Sequence, residues 1–147
     1  MKLTATMMLT LDGVFLGPGG PDEDRRGGFD RGGWTAPFAD EEGWRFVTSM
    51  FERADALLLG RKTWEIWEPY WPLHDSGELL RWLLERDLVD ELNLRIYPVI
   101  VGDGLRLFPE HGQSHNLELV ESRSTASGVV LQTYRPAGRA TFGNAGE

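Results

Sequence analysis

The sequence contains no cysteine, and only three of its 147 residues are histidine. Without cysteine the chain has no disulfide framework, no thiolate nucleophile and no thiolate metal ligand, which agrees with a cytoplasmic protein. His111 and His115 lie four residues apart, but Gly112 and polar neighbours argue against a helix that would bring them together. We therefore expect no metal site.

The sequence also lacks an excess of positive charge. Its 15 Lys+Arg residues face 23 Asp+Glu residues, for a formal charge of -8. Such a chain repels a phosphate backbone unless its basic residues gather on one face, so nucleic acid is a poor candidate partner. No uninterrupted apolar run approaches the roughly 18 residues of a membrane-spanning helix, and the amino-terminal residues lack the apolar block of a secretion signal. We expect a soluble protein with no membrane partner.

Length and composition fit one globular domain over residues 1–147, because hydrophobic residues make up 41% and charged residues 26% of the chain. Two segments look poorly packed. Residues 17–33 are rich in glycine and charge, which predicts a mobile loop, either a lid over a bound substrate or a simple connection. The tail over residues 136–147 is predicted to fray.

Hydrophobic periodicity predicts strands and helices in an order typical of an α/β sheet with an antiparallel carboxyl-terminal hairpin. The solid apolar run Ala56–Leu59 is typical of a strand in a parallel sheet that helices cover on both faces. The other predicted strands are Leu3–Leu11, Glu91–Val101, Leu117–Glu121 and Val129–Tyr134. The predicted helices are Asp40–Arg53, Thr63–Glu68 and Asp75–Leu88.

The turn that follows the run Ala56–Leu59 is a candidate anion site. Gly60 lets the backbone approach a ligand closely, and Arg61, Lys62 and Thr63 then occupy the first turn of the predicted helix. Free amides, the helix dipole and two cations would converge there, as a phosphate or pyrophosphate requires. An ordinary solvated turn explains the same residues equally well.

Other features leave redox chemistry or binding as the open function classes. Asp75 and Glu78 are spaced as a capping box, which we favour over a second phosphate site at that helix start. Most of the six tryptophans are expected in the core, although such rings can also stack on a flat heterocycle. The chain contains no Walker loop, no Gly-x-Gly-x-x-Gly fingerprint and no Gly-x-Ser-x-Gly elbow.

Five blocks follow one another along the chain: Met8–Phe15, Gly32–Glu42, Leu58–Glu65, Leu88–Leu92 and Tyr97–Phe108. Together they resemble the dihydrofolate-reductase-like family, which includes the reductase domain of the bacterial riboflavin-pathway deaminase-reductase. The resemblance implies an α/β fold with a mainly parallel sheet, helices on both faces and a carboxyl-terminal antiparallel hairpin. It also implies a homodimer that binds NADPH and passes a hydride to a pteridine-like or pyrimidine-like heterocycle.

The resemblance assigns roles to particular residues. Asp12, beside the nicotinamide and substrate, and Asp40, near the acidic position that helps to protonate a pterin, are the candidate catalytic residues. Helix capping is the simpler interpretation of Asp40. The candidate substrate-binding residues are Trp34 and Phe38. The candidate cofactor-binding residues are Gly13 at the nicotinamide, Gly60, Arg61, Lys62 and Thr63 at the adenosine-side phosphates, and Ser76 and Gly77 at the pyrophosphate.

The chain departs from the family in its middle. Relatives carry a strand, a helix and a further strand between the segments that resemble Tyr70–Pro72 and His74–Gly77, whereas only Leu73 intervenes here. The predicted fold is therefore shortened in the middle, and a homodimer, domain-swapped or not, would cover the groups left unpaired. Two other functions stay open: a cofactor-free family member that binds or cyclises an aromatic metabolite, and a dimeric interaction protein that pairs through an edge strand.

Overall fold

A computed structural model describes residues 1–56, 58 and 77–146. The predicted helix Thr63–Glu68, most of the predicted strand Ala56–Leu59 and the shortened middle of the chain lie outside these residues. The described helices and strands are β1 (Thr4–Thr10), α1 (Glu41–Glu52), α2 (Gly77–Glu85), β2 (Glu91–Tyr97), β3 (Leu117–Ser124) and β4 (Val130–Pro136).

The described strands form one mixed sheet in the order β1-β2-β4-β3. Strands β1 and β2 are parallel, and β4 pairs antiparallel with both β2 and β3. The α/β class and the carboxyl-terminal hairpin are confirmed. The expectation of a mainly parallel sheet fits only β1 and β2 within the described residues, because a short hairpin turn between β3 and β4 forces antiparallel pairing.

The element ends differ from the predicted ones for local reasons. Strand β2 stops at Tyr97 instead of Val101, because Pro98 has no amide hydrogen to donate to the next ladder position. Helix α2 stops at Glu85 instead of Leu88. Asp87 adopts the left-handed conformation there (φ 55°), and the amide of Leu88 donates to the carbonyl oxygen of Leu83 at 3.0 Å, as in a Schellman motif.

The two faces of the sheet differ in polarity. On one face, Met7 of β1 lies beside Leu94 of β2, and both are buried. On the other face, Thr6 lies beside Asn93 and its hydroxyl donates to Met50 Sδ of α1 at 3.6 Å. Helix α1 therefore covers the more polar face. The buried leucines of α2 belong to the same core cluster as the strand residues: Leu80, Leu83 and Leu84.

The segment over residues 17–33 contributes one aromatic residue to the core, and its predicted mobility stays a prediction. Phe29 is 2% exposed and belongs to the core cluster. The amide of Gly33 donates to the carbonyl oxygen of Gly17 at 2.7 Å, which closes the segment into a loop. A single aromatic anchor thus supplies burial that the abundance of glycine and charge hides. Movement of this loop over a substrate stays a prediction.

The first residues of the carboxyl-terminal tail still pair with the chain near the sheet. Strand β4 includes Pro136, and Asn116 then continues the pairing through its amide, which donates to the carbonyl oxygen of Gly138 at 2.8 Å. Beyond Gly138 the backbone forms no regular structure, and Phe142 is exposed. Backbone hydrogen bonding therefore extends two residues past the end of β4, and fraying of the tail stays a prediction.

Candidate functional site

The carboxyl ends of β1 and β2 lie at the same edge of the sheet, because the two strands are parallel. In open α/β sheets, ligands bind outside this edge. The turn Asp12–Gly13 follows β1, and the loop Pro98–Gly102 follows β2. We therefore take these two segments and the residues around them as the candidate active site.

Asp12 joins the two segments. Its Oδ1 accepts a hydrogen bond from the Thr10 hydroxyl at 2.6 Å and one from the Val101 amide at 3.3 Å, and its Oδ2 accepts one from the Gly102 amide at 2.9 Å. Partial burial raises the pKa of Asp12, but the hydrogen bonds from Thr10 and the two amides lower this pKa by more, to below its ordinary value. Asp12 is therefore a carboxylate that fixes the shape of this edge.

Gly13 leaves room for a ligand next to Asp12. It adopts φ 82°, which favours glycine, and a Cβ placed on it would meet no atom within 4 Å. Its carbonyl oxygen accepts a hydrogen bond from the Leu107 amide at 2.9 Å, which fixes the backbone of the turn. The surface over this turn is therefore open, and the placement of nicotinamide at Gly13 stays a prediction.

Gly77 lies against the segment that continues from this turn. A Cβ on Gly77 would stand 2.8 Å from the ring of Phe15, two residues after Gly13. The amino-terminal end of α2 therefore packs on Phe15, and the role of Gly77 at the pyrophosphate stays a prediction. The close approach of the Phe15 ring explains why residue 77 is a glycine. Glu78 accepts a hydrogen bond from Arg26 at 3.1 Å.

The predicted phosphate turn lies outside the described residues. It comprises Gly60, Arg61, Lys62 and Thr63, and Ser76 lies outside them as well. Their roles in binding the cofactor stay predictions.

Asp40 is the amino-terminal cap of α1, which confirms the simpler of its two interpretations. Its Oδ1 accepts from the Gly43 amide at 2.7 Å, and its Oδ2 accepts from the Ser127 hydroxyl at 2.6 Å. The Ser127 hydroxyl and then the Gly43 amide lower the pKa of Asp40 to about 2. The low pKa keeps this carboxylate ionised at neutral pH, and a role of Asp40 in protonating a substrate stays a prediction. The geometry supports a structural role for Asp40, which ties α1 to the β3–β4 hairpin.

The two predicted substrate-binding aromatic residues meet at Tyr97. The Tyr97 ring lies edge-on to Trp34, with centroids 5.3 Å apart, and to Phe38, with centroids 6.0 Å apart. Trp34 is 6% exposed, and its Nε1 donates to the carbonyl oxygen of Leu16 at 2.8 Å. The indole therefore belongs to the core and has no free face for a substrate in this conformation. Phe38 is half-buried and stays a candidate.

Sequence reasoning missed Arg95. It lies in the middle of β2 and is 8% exposed, and its buried Nε finds no hydrogen-bond partner among residues 1–56, 58 and 77–146. The guanidinium lies 5.7 Å from the centroid of the Tyr97 ring. The available signal was a charged residue inside an otherwise buried strand, where unpaired charges are rarely found.

The described residues contain neither a candidate metal-binding cluster nor a candidate membrane span. Within residues 1–56, 58 and 77–146, no three histidine, aspartate or glutamate side chains are grouped so that they could hold a metal ion. Among the same residues, no helix combines the length and the apolar character needed to cross a membrane.

Comparison with known proteins identifies part of this chain. Residues 72–131 match the RibD C-terminal domain. This match contains α2, β2 and β3, and thus Gly77 and Arg95 of the candidate site, and it confirms the predicted family resemblance over that segment. Asp12, Asp40, Trp34 and Phe38 precede the match.

A curated relative and a solved structure agree with the RibD C-terminal domain match. The Bacillus subtilis (strain 168) protein YyaP is 39% identical over 62 residues, which are 42% of this chain and 33% of YyaP. The match thus spans about a third of that relative. A protein from Shewanella sp. PV-4 named for riboflavin biosynthesis superimposes with a TM-score of 0.51 and 17% identity, over 93% of this chain and 99% of that chain. It supports the fold.

Proposed function

We propose that this protein is an NADPH-dependent reductase that transfers a hydride to a pteridine-like or pyrimidine-like heterocycle. The observation that carries the proposal is the open surface over Gly13, at the edge of the sheet where the parallel strands β1 and β2 end. The match to the RibD C-terminal domain over residues 72–131 includes β2 and α2, which lie next to this edge. The reductase role is supported by the match to the RibD C-terminal domain, and NADPH and the ring type come from the family resemblance.

The described residues fit a nicotinamide cofactor at this edge. The turn at Gly13 has no side chain to block a flat ring, and Gly77 allows the start of α2 to lie against Phe15 nearby. NADPH would supply the hydride. The protein would position the two reactants. Asp12 holds the turn after β1 and the loop after β2 in one arrangement, so the hydride donor and the heterocycle that accepts the hydride would meet in a fixed geometry.

The test is a titration of the purified protein with NADPH, followed by cofactor fluorescence. We expect saturable binding and, for Arg61→Ala, a loss of about 1–3 kcal/mol of binding free energy if that cation meets a phosphate. Arg45→Ala is the matched control, because Arg45 is exposed and pairs with Glu41 on α1. Absence of binding at millimolar NADPH would overturn the proposal and favour the cofactor-free alternative. An unchanged affinity in Arg61→Ala would overturn the phosphate assignment alone.

We also propose that the protein acts as a homodimer in the cytoplasm. The strand β3 supports self-association: all eight of its residues are exposed, including Leu119 at 53% and Val120 at 44%. Among the described residues β3 pairs with β4 alone, so its outer edge presents unpaired backbone groups. Native mass spectrometry tests this directly, and a monomer at micromolar concentration would refute it.

A further inference from the structure

Strand β3 has an exposed edge that carries charges of both signs. Within residues 1–56, 58 and 77–146 its one strand neighbour is β4, and all eight of its residues are exposed. An exposed edge with unpaired backbone groups favours pairing with another strand. The ladder between β3 and β4 shifts register between Leu119 and Glu121, which places a bulge at Val120. From Glu121 to Ser124 the ladder is regular, so this stretch of the edge is best suited to accept another strand.

Glu121 and Arg123 lie on the same face of this regular stretch. They are two residues apart in the strand, and Arg123 Nε lies 3.9 Å from Glu121 Oε1. Arg123 also pairs with Glu42 of α1 at 3.3 Å, so both charges lie on the face of the sheet that α1 covers. Both side chains remain accessible, with 67% of Glu121 and 45% of Arg123 exposed. A second strand at this edge would therefore meet a negative charge and then a positive one.

Symmetry limits how two copies of this edge can pair. Two identical strands that continue one antiparallel sheet are related by a two-fold axis perpendicular to the sheet, so opposite residues share a face and the residue on the axis lies opposite its own copy. An axis at Glu121 or at Arg123 places two like charges directly opposite each other, which is destabilising. An axis at Ser124 pairs only the end of the strand. An axis at Ser122 places Glu121 opposite Arg123 of the second copy, once on each side of the axis.

We infer that two copies of this chain pair antiparallel along β3 with Ser122 on the two-fold axis, so that their four-stranded sheets continue into each other. The inference deepens the proposed homodimer and rests on it. The two charge pairs favour a second copy over an unrelated strand, because a copy of the same edge brings a glutamate and an arginine to the matching positions. Val120, which is 44% exposed, would face Ser124 of the second copy and lose part of that exposure.

The experiment reverses the two charges separately, in Glu121→Arg and in Arg123→Glu. Sedimentation of the full chain without cofactor measures the dissociation constant of the dimer. Each variant places like charges opposite each other on both sides of the axis, and we expect each to weaken the dimer roughly 10-fold or more. The double variant should recover most of the wild-type affinity. The matched controls are Glu110→Arg and Arg139→Glu, since both residues are exposed and lie outside the strands, and we expect them to leave the affinity unchanged.

A mixture of the two single variants is the decisive sample. One chain then carries two positive side chains on this face of β3 and the other carries two negative ones, so a heterodimer restores both charge pairs. We expect native mass spectrometry to show more heterodimer than random mixing gives. Arg123→Glu also loses the pair with Glu42, but this loss is the same in every dimer that contains the variant chain and cannot favour the heterodimer. Random mixing, or single variants that dimerise like the wild type, would overturn the inference.

The outcomes distinguish this inference from the proposed function. A monomeric wild-type protein would overturn the inference and the proposed homodimer together, whatever the result of the NADPH titration. A dimer that is insensitive to both charge reversals would overturn pairing through β3 alone. Should a variant fail to fold by circular dichroism, hydrogen–deuterium exchange of the wild-type protein decides. Amides within residues 121–123 should gain protection as the protein concentration rises through the dissociation constant, and the absence of any gain would overturn the inference.

Discussion

The carboxylate of Asp12 accepts a hydrogen bond of 2.9 Å from the amide of Gly102, a residue 90 positions further along the chain. This single contact connects the segment after β1 to the segment after β2. It lies at the edge of the sheet where Gly13 and the start of α2 are also found. The candidate site therefore depends on a contact between distant parts of the chain.

Asp12→Ala should destabilise the protein. The Thr10 hydroxyl and the amides of Val101 and Gly102 lose their acceptor, which we expect to cost about 1–2 kcal/mol of unfolding free energy. Urea unfolding at pH 7 measures this. Asp103→Ala is the control, because Asp103 is an exposed acid of the same loop and removes the same charge. Equal stability of the two variants would contradict a role for Asp12 in fixing the loop.

Ser127→Ala should raise the pKa of Asp40 from about 2 toward its ordinary value of 3.8, because the Ser127 hydroxyl is the strongest of the groups that lower it. A carboxyl-detected NMR titration measures the change. Because this pKa is lower in the folded protein than in the unfolded chain, Asp40 stabilises the fold fully above pH 4 and progressively less as the pH falls toward 2. Ser127→Ala should flatten that acid-side loss of stability, and an Asp40 titration that stays near 2 would exclude Ser127 as the cause.

Gly77→Ala should weaken the packing of α2 on the candidate site. The added methyl group would stand 2.8 Å from three ring carbons of Phe15, and we expect a loss of about 1–3 kcal/mol in unfolding free energy. The double variant Phe15→Leu with Gly77→Ala should recover part of the loss relative to the sum of the two single variants. Gly143→Ala is the control, since its Cβ would meet nothing within 4 Å. Purely additive losses would show that Gly77 and Phe15 do not interact.

Much of the local structure was predictable because its causes are local. Asp40, Glu41 and Glu42 ahead of an apolar stripe indicate a helix start, and α1 begins there. The cap at Asp40 was predicted for the same reason. The burial of Phe29 within residues 17–33 was not predicted, because it depends on a core built from other parts of the chain. The burial of Trp34 is not a local property either, because it involves Tyr97 of β2 as well as Leu16, which is closer in sequence.

The sequence by itself determined the class of fold, the positions of α1, β1 and the carboxyl-terminal hairpin, and a family resemblance that the match over residues 72–131 bears out. These follow from periodicity, caps and collinear motifs, which act over a few residues. Only the tertiary structure decided that Asp12 joins two loops, that Gly77 packs on Phe15 and that Arg95 is buried in the middle of β2. Those facts depend on which side chains the folded sheet brings together. The number of residues between two positions in the sequence does not give their distance in the folded protein.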